Sequence, residues 1–108
     1  MAAMGERRYE YVRHLHEAGV RVLVGTDAGG TIGHGRIAEE AREMQRTGIP
    51  ARDVVAAASW RTRAWLGVPS IEEGASADVV VYADDPRDDT RRLRNVRAVL
   101  LRGSTFPP

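Results

Sequence analysis

The sequence predicts an α/β fold, and its first 25 residues carry the main evidence. Residues 6–18 have the spacing of an amphipathic helix, Gly19 follows them, and residues 20–25 form a short apolar run. A helix, a glycine and a buried strand in this order are typical of proteins in which helices cover a parallel sheet. Two more helices and two late strands follow within 108 residues, a length that fits a small domain.

The first helix is predicted from its apolar spacing and from the residue that ends it. Its apolar face consists of Tyr9, Val12, Leu15 and His16. Gly19 suits the left-handed conformation that commonly terminates a helix. The following sequence VRVLVG, residues 20–25, is rich in β-branched residues and apolar along most of its length. This pattern predicts a strand covered on both faces.

A pair of helices is predicted next. Residues 35–48 have helical apolar spacing and end at Gly48, and residues 50–67 begin with Pro50 and end at Gly67. The first helix of the pair places Ile37, Ala41 and Met44 on one face. For the second helix we expect burial of Val54, Val55, Ala58, Trp65 and Leu66.

The last third of the chain predicts strands. Residues 79–82 and 96–101 are β-branched and apolar, and we expect them to pair in antiparallel fashion. The intervening segment 84–94, DDPRDDTRRLR, is expected to be a solvated connector. The two final prolines are expected to belong to a frayed end.

Composition excludes several classes of function. Sixteen basic residues, all of them arginine, balance 15 acidic residues to a net charge of +1, so no surface field favours nucleic acid or a membrane. The chain has no cysteine, which excludes disulfides and thiolate metal sites. No apolar run approaches the ~20 residues that span a bilayer, and the first residues lack a signal-peptide pattern. We therefore expect a cytoplasmic protein.

Asp27 is the candidate site residue because it directly follows the predicted strand. Parallel sheets and barrels build their sites from the loops after their strands. A turn or helix-capping role is the alternative, since Thr26, Asp27 and Ala28 also suit a turn. The glycine-rich loop that follows matches neither a P-loop nor a dinucleotide fingerprint. We expect Gly29 and Gly30 to let this loop turn sharply and approach a ligand or a neighbouring backbone.

The three histidines differ in their promise as ligands. On a helix, His14 and His16 point ~200° apart, so they cannot bind one ion together. His34 follows Asp27 by seven residues in the same loop system. It could contact a substrate or a metal, or it could hydrogen-bond to the backbone.

Five segments in a fixed order resemble the C-terminal end of metal-dependent amidohydrolases, and most closely the imidazolonepropionase and prolidase-like branch. They are AGVRVLVGTDAG, HGRIAEEAREM, GIPARDVVAAASWRTRAWLGV, GASADVVVYADDPRDD and VRAVLLRG, within residues 10–103. The resemblance implies the C-terminal fragment of a (β/α)8 barrel, in which residues 6–25 correspond to the seventh helix and eighth strand. Residues 1–66 would then belong to the barrel, and residues 67–108 would supply strands of a small β-sandwich.

The resemblance also implies roles for the site. Asp27 corresponds to the aspartate at the end of the last barrel strand, which ligates or adjoins a divalent metal, most commonly zinc. That carboxylate accepts a proton from the metal-bound water and passes it to the leaving nitrogen of a small amide or cyclic amide. His34, Gly29 and Gly30 are the candidate substrate-binding residues.

The rest of the family's ligand set has no counterpart in this sequence. There is no His-x-His motif of the first strand and no lysine at all. We therefore expect the chain alone to bind no metal and to be inactive, and we expect it to self-associate or to join a complementary chain. Two alternatives stay open: a non-catalytic folding or partner-binding module derived from such an enzyme, and a small-ligand or phosphate-binding αβ domain.

Overall fold

The computed structural model describes residues 4–31 and 33–108 and contains four α-helices, a 3-10 helix and a three-stranded sheet. The α-helices are α1 (Met4–Glu17), α2 (Ile37–Arg46), α3 (Ala51–Ala58) and α4 (Trp60–Leu66). The strands are β1 (Val79–Tyr82), β2 (Val96–Leu101) and β3 (Ser104–Phe106), and the 3-10 helix is Thr90–Arg94. The helices in the described ranges are all too short or too polar to cross a bilayer.

Helix α1 forms where the sequence predicts it. Its expected apolar face is half-buried along its whole length. Gly19 follows the helix with a φ of 86°, the left-handed conformation that its type permits at no steric cost.

The strand predicted at residues 20–25 is not formed, because residues 20–28 have no regular secondary structure. A strand needs a hydrogen-bonded neighbour, and two amides of this segment bond to helical carbonyls instead. The Val20 N–H donates to the Leu15 carbonyl, and the Val24 N–H donates to the Ala57 carbonyl at 3.3 Å. The apolar character does predict packing correctly, since Val24 lies against the core.

The second helix of the predicted pair is broken. Residues 50–67 form α3 and α4, which are separated by Ser59 at φ −140° and ψ −97°. The Ser59 hydroxyl donates to the Val55 carbonyl at 2.5 Å, a local bond that competes with continuation of the helix. The expected burial of Trp65 and Leu66 is wrong, because α4 contains no buried residue and each of the two is 60% exposed.

The core lies between α1, α2, α3 and the 3-10 helix. Its buried members are Ala41, Ile49 and Val54, and its half-buried members are Val12, Val24, Met44 and Leu93. The 3-10 helix corrects the expectation of a solvated connector over residues 84–94. Thr90 is completely buried, and both its N–H and its hydroxyl donate to Oε1 of Gln45 on α2.

The sheet confirms the predicted antiparallel pairing and adds a strand. Strand β2 lies between β1 and β3, with Val80 opposite Val99 and Leu100 opposite Thr105. The unpredicted strand β3 follows a two-residue turn in which Arg102 and Gly103 both have positive φ. Such turns match the twist of a hairpin, although arginine is an uncommon residue at the first position.

Candidate functional site

Asp27 follows the apolar segment 20–25, as the sequence predicts, and its side chain is exposed. Its φ is +52°, a conformation that few residues other than glycine adopt and in which aspartate is enriched. Backbone strain of this kind is commonly found at functional sites.

Two hydrogen bonds flank Asp27. On one side, the Val24 N–H donates to the carbonyl of Ala57 at the end of α3. On the other, the Ala28 N–H donates to Thr26 Oγ1 at 3.2 Å, which closes a small turn around Asp27. The backbone is thus bonded to α3 three residues before Asp27, and it forms a local turn around Asp27 itself.

The glycines after Asp27 are needed for the turn of the loop. Gly29 and Gly30 have φ values of 126° and 60°, which strain any residue with a Cβ. A Cβ at either position would meet no atom within 4 Å, so both glycines face open space. The structure therefore supports the expected sharp turn and leaves room for a ligand beside it.

His34 lies in a bend at the end of the same loop and is exposed. Among the residues that the structure describes, no hydrogen bond or ion pair joins His34 to Asp27 or to the backbone. The two side chains share the loop system but are not in direct contact through polar groups.

The other two histidines lie on α1, away from this loop. His14 is exposed, whereas His16 is half-buried and has its Nε2 3.3 Å from Oδ2 of Asp53 on α3. An Nη2 atom of Arg61 lies 3.3 Å from the other carboxylate oxygen. The three side chains line a cavity of about 260 Å³ beside residues 19–22. His16 is therefore part of a polar cluster between helices, with Asp53 and Arg61.

A complete metal site does not form from the described residues. Nowhere in the ranges 4–31 and 33–108 do three or more His, Asp or Glu side chains group so that they could hold an ion. A zinc site needs three or four protein ligands, and Asp27 offers a single carboxylate. The residues present therefore do not fit a metal centre by themselves.

A larger apolar groove separates the helices from the sheet. It has a volume of about 710 Å³ and is lined by Val55, Ala58 and Trp60 on one side and by Val79, Val80 and Tyr82 on the other, and four charged side chains also line it. Ile71 at its edge is 84% exposed. Burial in this groove raises the pKa of the Tyr82 hydroxyl above its ordinary value. The sheet and helices thus leave a sizeable apolar surface uncovered.

Comparison with known proteins decides the family. The sequence model of the amidohydrolase family matches residues 5–105. The chain belongs to the amidohydrolase family. Uncharacterized proteins of Mycobacterium tuberculosis (strain H37Rv) and Mycobacterium bovis are each 49% identical to it over 102 residues, which is 94% of this chain and 28% of theirs. This amidohydrolase chain therefore spans less than a third of the length of those relatives.

A solved structure has the same fold. The crystal structure of a Xaa-Pro dipeptidase with methionine bound in its active site is similar to this amidohydrolase chain with a TM-score of 0.83 and 31% sequence identity. The similarity covers 99% of this chain and 27% of the dipeptidase. It confirms that the chain is similar to amidohydrolases in structure as well as in sequence.

Sequence reasoning missed the connection between the loop of Asp27 and the end of α3. The Val24 N–H makes it by donating to the Ala57 carbonyl, which also accepts the Thr62 hydroxyl, while the Ser59 hydroxyl bonds locally to the Val55 carbonyl. The available signal was the presence of two hydroxyl residues in an otherwise regular helix, where such residues favour local bonds to the backbone.

Proposed function

We propose that this chain is the C-terminal segment of a metal-dependent amidohydrolase that hydrolyses the C–N bond of a small amide or cyclic amide. In this proposal residues 1–66 belong to a (β/α)8 barrel, in which the irregular segment 20–25 takes the position of the last strand only when a neighbouring strand from outside this chain pairs with it. Residues 67–108 belong to a small β-sandwich. The family match over residues 5–105 and the likeness to a dipeptidase support a segment derived from a hydrolase.

The proposed chemistry rests on the placement of the Asp27 carboxylate. Its carboxylate is exposed, follows an apolar segment and lies on strained backbone. A carboxylate so held can take a proton from the attacking water and deliver it to the leaving nitrogen as the C–N bond breaks. Such proton transfer typically accelerates a reaction by about 10²- to 10⁴-fold. We assign His34, Gly29 and Gly30 to the substrate side of the same loop.

The metal is assigned to the assembled enzyme and not to this chain alone. The amidohydrolase family is generally metal-dependent, and zinc is the ion we expect. The described residues offer one carboxylate for it, Asp27, and do not form a ligand set. The remaining ligands must come from segments outside this chain, so the chain's own contribution to the chemistry is the carboxylate.

The partner we propose is the part of the longer protein that lies outside this segment. Nearly three quarters of the length of the relatives is not represented in this chain. The uncovered groove between α3, α4 and β1 and the partly exposed segment 20–25 are apolar surfaces of the kind that such a partner covers. Strand β1 also has one edge without a strand beside it among the described residues.

A segment exchange tests the proposed function. The chain replaces the structurally matched segment of the Xaa-Pro dipeptidase, and the joined protein is assayed on dipeptides, small amides and cyclic amides beside the chain alone. We expect turnover from the joined protein and none from the chain alone. Turnover by the purified chain that survives chelator treatment would contradict the proposal. A folded joined protein without turnover would favour a non-catalytic partner-binding module.

A further inference from the structure

The carbonyl groups at the end of α3 accept hydrogen bonds from donors outside that helix. The last four carbonyls of a helix have no partner within that helix, so other groups must satisfy them when they are buried. Ser59 satisfies two of them, since its hydroxyl donates to Val55 at 2.5 Å and its N–H donates to Ala56 at 3.2 Å. Ser59 thus supplies hydrogen bonds to two carbonyls that the break in the helix would otherwise leave without a donor.

The Ala57 carbonyl is bonded differently. It accepts the hydroxyl of Thr62 on α4 at 2.5 Å and the backbone N–H of Val24 at 3.3 Å. A carbonyl oxygen has two lone pairs, and these two donors occupy both. Ala57 is only 3% exposed, so water is poorly placed to substitute for either donor. The end of α3 therefore joins α4 to the segment that precedes Asp27.

This junction anchors a segment that has few other backbone hydrogen bonds. In the part of the chain that the structure describes, Val24 carries the one backbone N–H between residues 21 and 25 that donates to another element. Asp27 follows three residues later, and the turn between Thr26 and Ala28 spans it. The anchor upstream and the turn across Asp27 thus flank the residue whose φ is positive.

We propose that Thr62 is a positioning residue for Asp27 and acts through the Ala57 carbonyl and the Val24 N–H. Its hydroxyl holds the carbonyl at the helix break in the orientation that Val24 requires, because an oxygen fixed by one donor presents its second lone pair in a defined direction. This inference rests on the proposed function only in taking Asp27 as the reacting carboxylate. The anchoring of residues 24–27 is independent of any activity.

Amide hydrogen exchange measured by NMR on the full 108-residue chain tests the anchor. Thr62→Val removes the hydroxyl at nearly constant shape, and Thr62→Ser retains it. We expect Thr62→Val to accelerate exchange at the Val24 amide roughly fivefold, as loss of one hydrogen bond implies, and to shift the backbone resonances of Asp27. Thr62→Ser should restore both toward the values of the unmodified chain.

Thr47→Val is the matched control. Its hydroxyl also donates to a helix carbonyl, that of Met44 at 2.6 Å, but that carbonyl does not bond to residues 20–28. Equal acceleration at Val24 in the Thr47 and Thr62 variants would indicate general destabilisation and overturn the proposal. If Thr62→Val does not fold, the unmodified chain and Thr62→Ser still test the anchor. An unprotected Val24 amide in the unmodified chain would overturn the proposal.

The anchoring role of Thr62 and the hydrolytic role of Asp27 can be refuted independently of each other. The exchange experiment uses no substrate, so an unprotected Val24 amide removes the anchor and leaves the hydrolytic role of Asp27 untouched. A protected Val24 amide that responds to Thr62 supports the anchor even if Asp27 takes no part in hydrolysis.

Discussion

The Nε2 atom of His16 lies 3.3 Å from Oδ2 of Asp53, which joins the last turn of α1 to the first turn of α3. Both side chains are mostly buried, with 26% and 29% of their surface exposed. Helix α1 also packs Val12 against the core and donates a hydrogen bond from Tyr9 to Glu43.

We expect His16 and Asp53 to be energetically coupled. A double-mutant cycle of His16→Ala and Asp53→Ala, measured by urea unfolding, should give a coupling free energy of about 0.5–1 kcal/mol. Arg61→Ala is the control, because Arg61 contacts the other oxygen of Asp53 but does not attach α1. A coupling free energy indistinguishable from zero would show that the pair does not hold α1 in place.

Acid should destabilise the turns around the 3-10 helix. Hydrogen bonds from the Arg87 side chain lower the pKa of Asp85 to about 2, and those from Arg91 do the same for Asp89. Because both pKa values are lower in the folded chain than in the unfolded chain, the ionised groups stabilise the fold above their ordinary pKa of 3.8. That stabilisation is lost as the pH falls from about 4 to about 2.

The measurement is the melting temperature across this range of pH. Asp89→Asn should reduce the decrease in melting temperature at acid pH. Asp84→Asn, which changes a neighbouring exposed carboxylate, should leave the dependence of the melting temperature on pH unaltered. An identical acid profile for the Asp89 variant and the unmodified chain would refute the role assigned to that carboxylate.

The sequence predicts those elements whose signals are local. Helix α1 ends before Gly19 as expected, and β1 and β2 form at residues 79–82 and 96–101, because apolar spacing and glycine decide them. The segment 20–25 was predicted as a strand, but strand formation depends on a neighbour that its own pattern cannot supply.

The remaining differences come from bonds between distant residues. Nothing near Thr90 indicates that Gln45, far away in the sequence, accepts its N–H and hydroxyl and draws it into the core. The exposure of Trp65 follows from the break at Ser59, which a helix pattern read by apolar spacing alone does not detect. Asp27 could be singled out from its position after an apolar run, whereas its anchor at Ala57 could not.

Zinc should bind the isolated chain weakly. Tight sites use three or four protein ligands, and the described residues offer no such group. Calorimetric titration with zinc should therefore show no stoichiometric tight binding. Tight binding that Asp27→Asn abolishes would mean that other ligands converge on this carboxylate in solution.

The uncovered apolar surfaces should cause the isolated chain to self-associate. Sedimentation should give an average mass that rises with concentration, since exposed patches of this kind recruit partners. Ile71→Asp alters a side chain that is 84% exposed, so it should reduce association and leave the fold intact. Val22→Asp should also reduce association, with circular dichroism to check folding. A monomer at all concentrations with a cooperative melt would contradict this expectation.

In the proposed function, this chain contributes Asp27 as the reacting carboxylate of an amidohydrolase. The most direct measurement is kcat/KM for amide hydrolysis by the protein joined to its complementary segment, with Asp27→Asn compared with Asp88→Asn, a change at an exposed carboxylate outside the site. We predict a loss of about 10²-fold or more for Asp27→Asn and little change for Asp88→Asn. Equal kcat/KM values for the two variants would contradict the claim.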